Sequence, residues 1–485
     1  MVASIAALAT AAGAGVSALL ANPARRERLR RSARVYRLTA RRAAHFAVVK
    51  VRGARVDEEA RARLEQRFAI RSAEDVAREL GNMKGAIMKA GQMLSFIAEG
   101  LPKEAQAALA TLQAEVPPMA PSLAEGVVER ELGEHPERLF LDWNPVPVAA
   151  ASIGQVHKAV LRDGREVAVK VQYPGVDSAI KSDLDNAELI YGLIASVTQR
   201  NMDVKGVVDE LRARMGDELD YRIEAAHQSE FAERYATHPF VRVPKVVPEM
   251  SAQRVLTSEW VDGLTWAEFD RVSTEPQRQQ AAEILFRFAE GSIHHHGVFN
   301  GDPHPGNYRF HPDEGAITFL DFGLVKRWTA GELESLSPIL DAITDRDPER
   351  TLAAIEAAGF LPPGHGLDAQ HVFEYASAPY VPYMDEEFTF KRRFVGETLQ
   401  KVLDLTGPYK DVMAALNIPA SYVILDRVIW GLTALLGKLH AQGPWRAILS
   451  EYRKGTPPAT ELGEIEAEWR DQQSVASAAV GVLNE

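Results

Sequence analysis

The chain has no cysteine among its 485 residues. This absence excludes a disulfide framework, a thiolate nucleophile, a cysteine-ligated zinc ion and an iron–sulfur cluster. Hydrophobic residues make up 46% of the chain and charged residues 25%, a balance that is typical of soluble globular proteins and excludes wholesale disorder. The length predicts about two to four domains.

Charge is almost absent from the beginning of the chain and then strongly positive. Residues 1–24 carry no charged side chain, whereas Arg25–Arg55 carry a net charge of +11. The whole chain carries −12, so the rest of the molecule is acidic. A basic arm on an acidic body predicts an anionic partner for the arm, although a solvated or packed helical arm is the alternative. The acidic balance of the chain disfavours nucleic acid as a partner.

The uncharged segment Val2–Ala21 is long enough to span a bilayer but poorly suited to do so. Nine of its residues are alanine and only six are valine, isoleucine or leucine, so insertion is marginal. No basic residue precedes it, which disfavours a secretory signal. Arginines follow it and would stay in the cytoplasm. We therefore expect the protein at the cytoplasmic face of a membrane, bound peripherally or by a weak N-terminal anchor; a loosely ordered tail is the alternative.

The segment between Arg55 and Pro118 has a helical pattern. Near its end stands the string Lys89-Ala90-Gly91-Gln92, in which the glycine would end the helix or let another backbone approach closely. Taken alone, this string is also compatible with a surface lysine at a helix end.

Two β-rich segments around residue 160 predict a hairpin. Leu139–Val160 and Glu166–Gln172 flank an Asp-Gly turn at Asp163–Gly164. The second segment contains Val-Ala-Val-Lys and places Lys170 where the small lobe of a protein kinase has its phosphate-contacting lysine.

The loop before this hairpin resembles a modified phosphate-covering loop. Gly154, two residues before Val156, stands where the third glycine of a kinase loop belongs, and Ala149 and Ala151 stand where the first two belong. Each methyl group stiffens the backbone and obstructs its approach to phosphate. The nucleotide-binding residues predicted here are Ala149, Ala150, Ala151, Ser152, Gly154 and Val156.

The segment Thr257–Gly263 resembles a kinase hinge, whose backbone pairs with adenine. The predicted contacts are the backbone groups of Glu259 and Val261. The alternative interpretation is an ordinary strand end.

Three acidic or amide side chains follow with the spacing of kinase catalytic and metal-binding loops. Asn307 comes five residues after Asp302, and Asp321 of an Asp-Phe-Gly motif comes nineteen residues after it. Magnesium prefers oxygen ligands, so Asn307 and Asp321 are the predicted metal ligands. Asp302 is the predicted base that accepts or orients the proton of an attacking hydroxyl or water. Asn300 replaces the histidine that many kinases have two residues before this aspartate, and it retains hydrogen bonding without an imidazole.

The run His294-His295-His296 is not interpreted as a metal site, because consecutive helical side chains point about 100° apart. After Gly323 there is no Ala-Pro-Glu string and no long activation segment, which disfavours a peptide substrate. Residues 331–450 are mostly helical by pattern, with Leu361–Met384 predicted as a long loop and Tyr422–Leu439 as a core helix. Glu461 and the residues after it are predicted to form a loose polar tail.

These motifs together resemble the UbiB/ADCK family of atypical, protein-kinase-like proteins (the AarF/UbiB type) over roughly residues 60–445. The resemblance rests on seven strings: Lys89–Gln92, Leu112–Pro118, Ala149–Gln155, Val167–Lys170, Glu218–Asp220 with Glu224-Ala225, Asp302–Asn307 and Asp321–Gly323. It implies an α+β, mostly helical fold of two kinase-like lobes, with an N-terminal helical extension over the active site. The implied domains are a 1–55 arm, a 56–135 extension, a 136–263 N-lobe, a 264–455 C-lobe and a 456–485 tail.

The resemblance also implies roles for further residues. Lys170 would contact the α- and β-phosphates and pair with a glutamate, and the sequence alone leaves Glu218 and Glu224 open for that pair. Glu218 and Glu224 are six residues apart on a predicted helix and face different directions. We assign Glu224 to Lys170, and Glu218 with Asp220 to the extension that carries Lys89 and Gln92.

The predicted function is therefore that of an atypical, kinase-like enzyme that binds ATP or ADP with Mg²⁺. It would act as an ATPase or as a phosphotransferase directed at lipids or small molecules, in support of quinone or isoprenoid-lipid metabolism. The implied partners are an anionic membrane surface, isoprenoid or quinone lipids and lipid-biosynthesis enzymes. A nucleotide-binding scaffold without turnover and an ordinary protein kinase are the alternatives.

Overall fold

The structure is a computed structural model, and it describes residues 119–151, 153–176, 216–329, 331–402, 407–417 and 419–483. The predictions for the arm, for the extension with Lys89 and Gln92, and for Ser152 lie outside the described residues. All described residues other than Gly175 and Val176 belong to one compact unit.

The described chain contains both short strands and α-helices. The strands are β1 (Asp142–Trp143), β2 (Ala149–Ala151), β3 (Gly154–Val160), β4 (Glu166–Gln172), β5 (Val241–Arg242), β6 (Val255–Glu259), β7 (Val298–Asn300), β8 (Tyr308–His311), β9 (Ala316–Phe319), β10 (Val325–Arg327), β11 (Phe388–Thr389) and β12 (Gln442–Gly443). The α-helices are α1 (Pro121–Leu132), α2 (Pro136–Leu139), α3 (Tyr221–Arg234), α4 (Trp266–Val272), α5 (Glu275–Gly291), α6 (Glu332–Thr344), α7 (Pro348–Ala357), α8 (Ala369–Ala376), α9 (Arg392–Val402), α10 (Lys410–Ala415), α11 (Ala420–Leu439), α12 (Trp445–Lys454) and α13 (Glu461–Leu483).

The smaller lobe is built on an antiparallel sheet of five strands. Its order is β1-β3-β4-β6, with β2 paired to β3. Because strand side chains alternate between faces, the valines of β4 pack with helix α1 on one face. Lys170 lies on the other face, where Val156 of β3 and Leu256 of β6 stand directly opposite it. The sheet therefore presents the lysine on the side away from its core.

The larger lobe is helical and surrounds helices α5 and α11. Helix α11 buries Leu425, Val428, Leu432 and Leu436 at intervals of three and four residues, as a core-facing helix does. The paired strands β7 and β10, and the sheet β5-β9-β8, carry the loops that follow Asn300 and Phe319. The core-helix prediction for Tyr422–Leu439 is thus confirmed.

Two predictions about the larger lobe are wrong. The segment Leu361–Met384 is not a simple loop, because it contains α8 and the buried 3-10 turn Ala378–Tyr383. The residues from Glu461 onward are not a loose tail: they form α13, which docks onto the lobe. Helix α1, which falls within the predicted 56–135 extension, packs on the sheet of the small lobe.

Helix α13 is held in place by buried side chains. Its sequence pattern does not indicate that these side chains are buried. Glu466 is 6% exposed, accepts a hydrogen bond from Tyr452 Oη at 2.5 Å and lies 3.1 Å from Arg287 Nη1. Trp469 packs edge-on against His238, with ring centroids 4.4 Å apart. One buried carboxylate with matched partners therefore helps to anchor this helix.

Candidate functional site

Lys170 and Glu224 form a close, buried ion pair. Lys170 Nζ donates to Glu224 Oε1 at 2.8 Å and to Oε2 at 2.9 Å. The lysine side chain is 17% exposed and that of the glutamate 7%. Glu224 lies in the first turn of α3, where a carboxylate is also favoured by the helix dipole. Of the two glutamates that the sequence left open, the structure pairs Glu224 with the lysine.

Asp321 lies on the other side of the same ammonium group. Its Oδ2 is 3.7 Å from Lys170 Nζ, and its Oδ1 accepts the backbone N–H of Gly323 at 2.9 Å. Burial by itself lowers the pKa of Lys170, but the carboxylates of Glu224 and Asp321 outweigh it and raise the pKa well above its ordinary value. Lys170 is therefore charged at neutral pH and links the sheet of the small lobe to the loops of the large one.

Asn300 connects the catalytic loop to the Asp-Phe-Gly loop. Its Nδ2 donates to the carbonyl oxygen of Asp321 at 2.5 Å, and its Oδ1 accepts the backbone N–H of Asp302 at 2.8 Å. The amide thus retains the hydrogen bonding expected of it in place of histidine. It holds the two predicted functional aspartates in one arrangement.

Asn307 closes the catalytic loop through its amide nitrogen. Its Nδ2 donates to the carbonyl oxygen of Asp302 at 3.0 Å and to Asp302 Oδ2 at 3.3 Å. These bonds use only the donor side of the amide. The amide oxygen remains available to bind a cation. Oxygen is the ligand type that magnesium prefers.

Phe322 anchors the Asp-Phe-Gly loop in the core. It is fully buried, and its ring lies 4.8 Å from that of Phe231 on α3. Helix α3 therefore supports both Glu224 and the loop that carries Asp321.

Arg427 is a site residue that the sequence motifs do not include. It lies on α11 and forms an ion pair with Asp302, and the two side chains are 10% and 14% exposed. The partners are 125 residues apart in sequence, so no local pattern indicates the contact. The adjacent charges Asp426 and Arg427, in the middle of a largely apolar helix, are the signal that could have indicated it.

The face of α11 that carries Arg427 is fitted to the catalytic loop. A Cβ added at Gly431 would overlap the ring of Pro303, and one added at Gly301 would lie 3.0 Å from Ile424. Three successive loop residues thus meet one helix face: Gly301 with Ile424, Asp302 with Arg427, and Pro303 with Gly431.

The alanine-rich loop forms strand β2, which pairs with β3. Ala149 lies opposite Val156, and Ala151 opposite Gly154. A Cβ at Gly154 would overlap the carbonyl oxygen of Val171 and lie 2.9 Å from the hydroxyl of Tyr221. Glycine is therefore required at this position by close packing.

The predicted hinge begins at the end of β6. Glu259 is the last residue of the strand and its N–H bonds to the carbonyl oxygen of Lys245 at 2.9 Å. Among the described residues, the backbone of Val261 makes no backbone hydrogen bond. Its backbone amide and carbonyl are therefore available to pair with the adenine of a nucleotide.

The helix predicted to carry both Glu218 and Glu224 is interrupted. Residues 216–218 are helical, and α3 begins only at Tyr221, with Asp220 as its N-cap. Asp220 also bonds to Arg222 Nε at 2.8 Å. The arginine two residues on therefore supplies Asp220 with a local cation.

Within the described residues, no group of three or more histidine, cysteine or acidic side chains is arranged to hold a metal. His294 lies in a π-helical turn, Ser292–His296, with its Nε2 3.3 Å from Glu290 Oε2.

Within the described residues, no helix is both long and apolar enough to cross a membrane.

The two lobes, the lysine–glutamate pair and the two aspartate loops define an atypical kinase-like protein. A model of the ABC1 atypical kinase-like domain matches residues 111–355, and the chain belongs to this family, which is also known as UbiB/ADCK.

The chain is similar to proteins from an animal and a plant. The chain is 30% identical to the mitochondrial atypical kinase COQ8B of Rattus norvegicus over 69% of this chain and 63% of that protein. It is 33% identical to the chloroplastic protein ACTIVITY OF BC1 COMPLEX KINASE 8 of Arabidopsis thaliana over 58% of this chain and 38% of that protein. The chain thus spans less than two thirds of the length of these curated relatives.

A solved structure is similar to the chain over most of its length. It is the complex of Rv3197 with erythromycin from Mycobacterium tuberculosis, which is 35% identical, with a TM-score of 0.58, over 77% of this chain and 93% of that one.

Proposed function

We propose that the chain binds Mg-ATP or Mg-ADP in the cleft around Lys170 and acts as an ATPase or as a phosphotransferase for a lipid or small molecule. The observation that carries the proposal is that Glu224 and Asp321 both lie close to the ammonium group of Lys170. Asp302 and Asn307 stand in the catalytic loop, bonded to each other. A scaffold that only binds nucleotide would not need a base in this position.

The side chains fit a magnesium nucleotide. Lys170 would bind phosphate oxygens, with Glu224 holding its ammonium in place. Asp321 and the amide oxygen of Asn307 would hold magnesium, which supplies charge neutralisation at the phosphates when it is bound. Val261 would pair with the base. These residues come from both lobes, so the cleft between the lobes is where the nucleotide would lie.

Asp302 would take the proton of the attacking hydroxyl or water, and Arg427 would orient its carboxylate. The ion pair occupies Asp302 Oδ1, and Asn307 bonds weakly to Oδ2 at 3.3 Å. The second oxygen is therefore the one that can accept a proton.

A conventional protein kinase is the less favoured alternative. Only residues 324–331 separate the Asp-Phe-Gly motif from α6, and β10 occupies part of them. Protein kinases dock peptides on a long segment at this place. A small molecule or a lipid headgroup is the acceptor that suits the short connection.

Nucleotide binding tests the proposal directly. Mg-ATP and Mg-ADP should raise the unfolding temperature of the purified full chain by mass action. Asp321→Asn should remove most of this shift, because it deletes the principal metal carboxylate. Asp313→Asn, in the turn between β8 and β9, is the control and should retain it. An unchanged shift in Asp321→Asn would contradict the assignment of that residue.

Turnover distinguishes the enzyme from the scaffold. We expect ATP hydrolysis by the purified chain, stimulated by anionic liposomes or quinone-like phenols, and lost in Asp302→Asn. Binding without hydrolysis under all of these conditions would favour the scaffold instead.

The membrane partner is proposed from the basic arm. Its charge of +11 should bind anionic vesicles at about 1 kcal/mol per basic residue near the surface. Cosedimentation should therefore fall with added salt and with deletion of residues 1–55. Equal pelleting with neutral and anionic vesicles would contradict an electrostatic contact.

A further inference from the structure

The hydroxyl of Tyr221 is a buried polar group without a partner among the described residues. Tyr221 is the first residue of α3 and is 2% exposed. Within the part of the chain that the structure describes, its Oη makes no hydrogen bond. Buried tyrosine hydroxyls usually find a partner, because leaving a polar group unpaired away from water costs free energy. The missing partner therefore needs an explanation.

The phenol needs an acceptor. Burial raises the pKa of Tyr221 above its ordinary value, so the group stays protonated at neutral pH. A protonated phenol carries one O–H donor. An acceptor supplied by a ligand would satisfy it.

The position of the ring indicates which ligand. Lys170 Nζ lies 5.1 Å from the ring centroid. The hydroxyl of the same ring lies 2.9 Å from the point where a side chain at Gly154 would begin. The tyrosine thus lies close both to the lysine that would bind phosphate and to the glycine of the loop that would cover it. A phosphate oxygen bound by Lys170 and covered by this loop would lie near the phenol hydroxyl.

We propose that Tyr221 Oη donates a hydrogen bond to a phosphate oxygen of the bound nucleotide, and that Tyr221 is a nucleotide-binding residue. This inference rests on the function proposed above and adds a contact to it. Phosphate oxygens accept strong hydrogen bonds because they are charged. The buried ring already holds the hydroxyl in place, so the donor would lose little rotamer freedom on binding.

Tyr221→Phe tests the proposal, because it removes the hydroxyl and keeps the ring. Without nucleotide, the variant should unfold at the same temperature as the wild type or higher, since it loses an unpaired buried polar group. With nucleotide, its affinity for Mg-ADP and Mg-ATP, measured by calorimetry, should fall about tenfold, as expected for one hydrogen bond to a charged group. Affinity for adenosine, which has no phosphate, should be unchanged.

Tyr235→Phe is the matched control. Tyr235 is also buried, at 5% exposure, but its hydroxyl bonds to Ser292 Oγ at 3.2 Å. This variant should unfold at a lower temperature than the wild type and bind Mg-ADP with wild-type affinity. The two tyrosines are thus expected to give opposite patterns of stability and binding.

Two outcomes would overturn the proposal while leaving nucleotide binding intact. In the first, Tyr221→Phe binds Mg-ADP as tightly as the wild type. In the second, it loses affinity for adenosine and Mg-ADP by the same factor, so the defect does not concern phosphate. If the wild type itself binds neither Mg-ADP nor Mg-ATP, the proposed function fails as well, and the two failures are thereby distinguished.

Discussion

At the scale of single residues, the candidate site is a set of buried charges that neutralise one another. Lys170 is held by Glu224 and Asp321, and Asp302 is held by Arg427. Such pairs contribute little when formed, because desolvation offsets the attraction. Removing one partner, however, leaves the other charge buried and unpaired. Substitutions at these positions should therefore affect stability as well as activity.

Arg427→Met should lower the free energy of unfolding by about 2–3 kcal/mol, because it removes the cation from a largely buried Asp302. Chemical denaturation at neutral pH measures the change. The double variant with Asp302→Asn should lose less than the sum of the two single variants. Fully additive losses would show that the two side chains do not interact in solution.

Arg350→Met is the control for this prediction. Arg350 Nη1 is 2.9 Å from Asp345 Oδ2, but the two side chains are 55% and 43% exposed. Water already solvates both charges, so the change should stay below about 0.5 kcal/mol.

At the scale of elements, helix α11 does more than fill the core of the large lobe. Its Gly431 touches the ring of Pro303 in the catalytic loop, and its Arg427 reaches the next residue back, Asp302. The position of the loop is thus coupled to the helix by shape and by charge. A substitution in the helix that leaves the stability of the helix unchanged should still alter the position of Asp302.

Gly431→Ala separates packing from helix propensity. Propensity alone favours alanine by up to about 1 kcal/mol, whereas overlap with Pro303 predicts a net destabilisation of about 1–3 kcal/mol. We expect the packing effect to dominate, together with reduced ATP turnover, measured by denaturation and by phosphate release. A more stable protein with unchanged turnover would contradict the close contact.

Gly396→Ala is the matched substitution. Gly396 lies inside α9, and an added Cβ would meet nothing within 4 Å. Propensity then acts alone, so this variant should be more stable by about 0.5–1 kcal/mol.

At the scale of the whole molecule, buried histidines make the fold sensitive to acid. Burial, with help from Arg234 and His295, lowers the pKa of His296 to about 3. The unfolded chain binds a proton there near pH 6.5, whereas the folded chain does not until much lower pH. Stability is therefore lost as the pH falls below about 6.5 and continues to fall towards the folded pKa.

His296→Gln should reduce this loss. Between pH 6.5 and pH 4, the variant should lose about 1–3 kcal/mol less unfolding free energy than the wild type. Denaturant titrations at several pH values measure the difference. His371→Gln, at a side chain that is 56% exposed, should run parallel to the wild type. Parallel curves for His296→Gln as well would contradict burial of the neutral form.

The sequence by itself determined the features that depend on short stretches of chain. The step from Asp302 to Asn307 is one loop, and the hairpin around Asp163–Gly164 is one turn, so spacing alone indicates their geometry. The long apolar helix at Tyr422–Leu439 follows from its periodicity in the same way. These local signals are enough to predict a kinase-like site from the amino-acid sequence alone.

Only the tertiary structure decided which distant residues meet. It paired Lys170 with Glu224, brought Arg427 to Asp302 across 125 residues, and docked helix α13 through Glu466. It also left the hydroxyl of Tyr221, beside Gly154, without a partner among the described residues. The physical reason is that burial and electrostatic pairing depend on neighbours in space. In the sequence, a charge on a helix looks solvated, and only the fold shows what covers it.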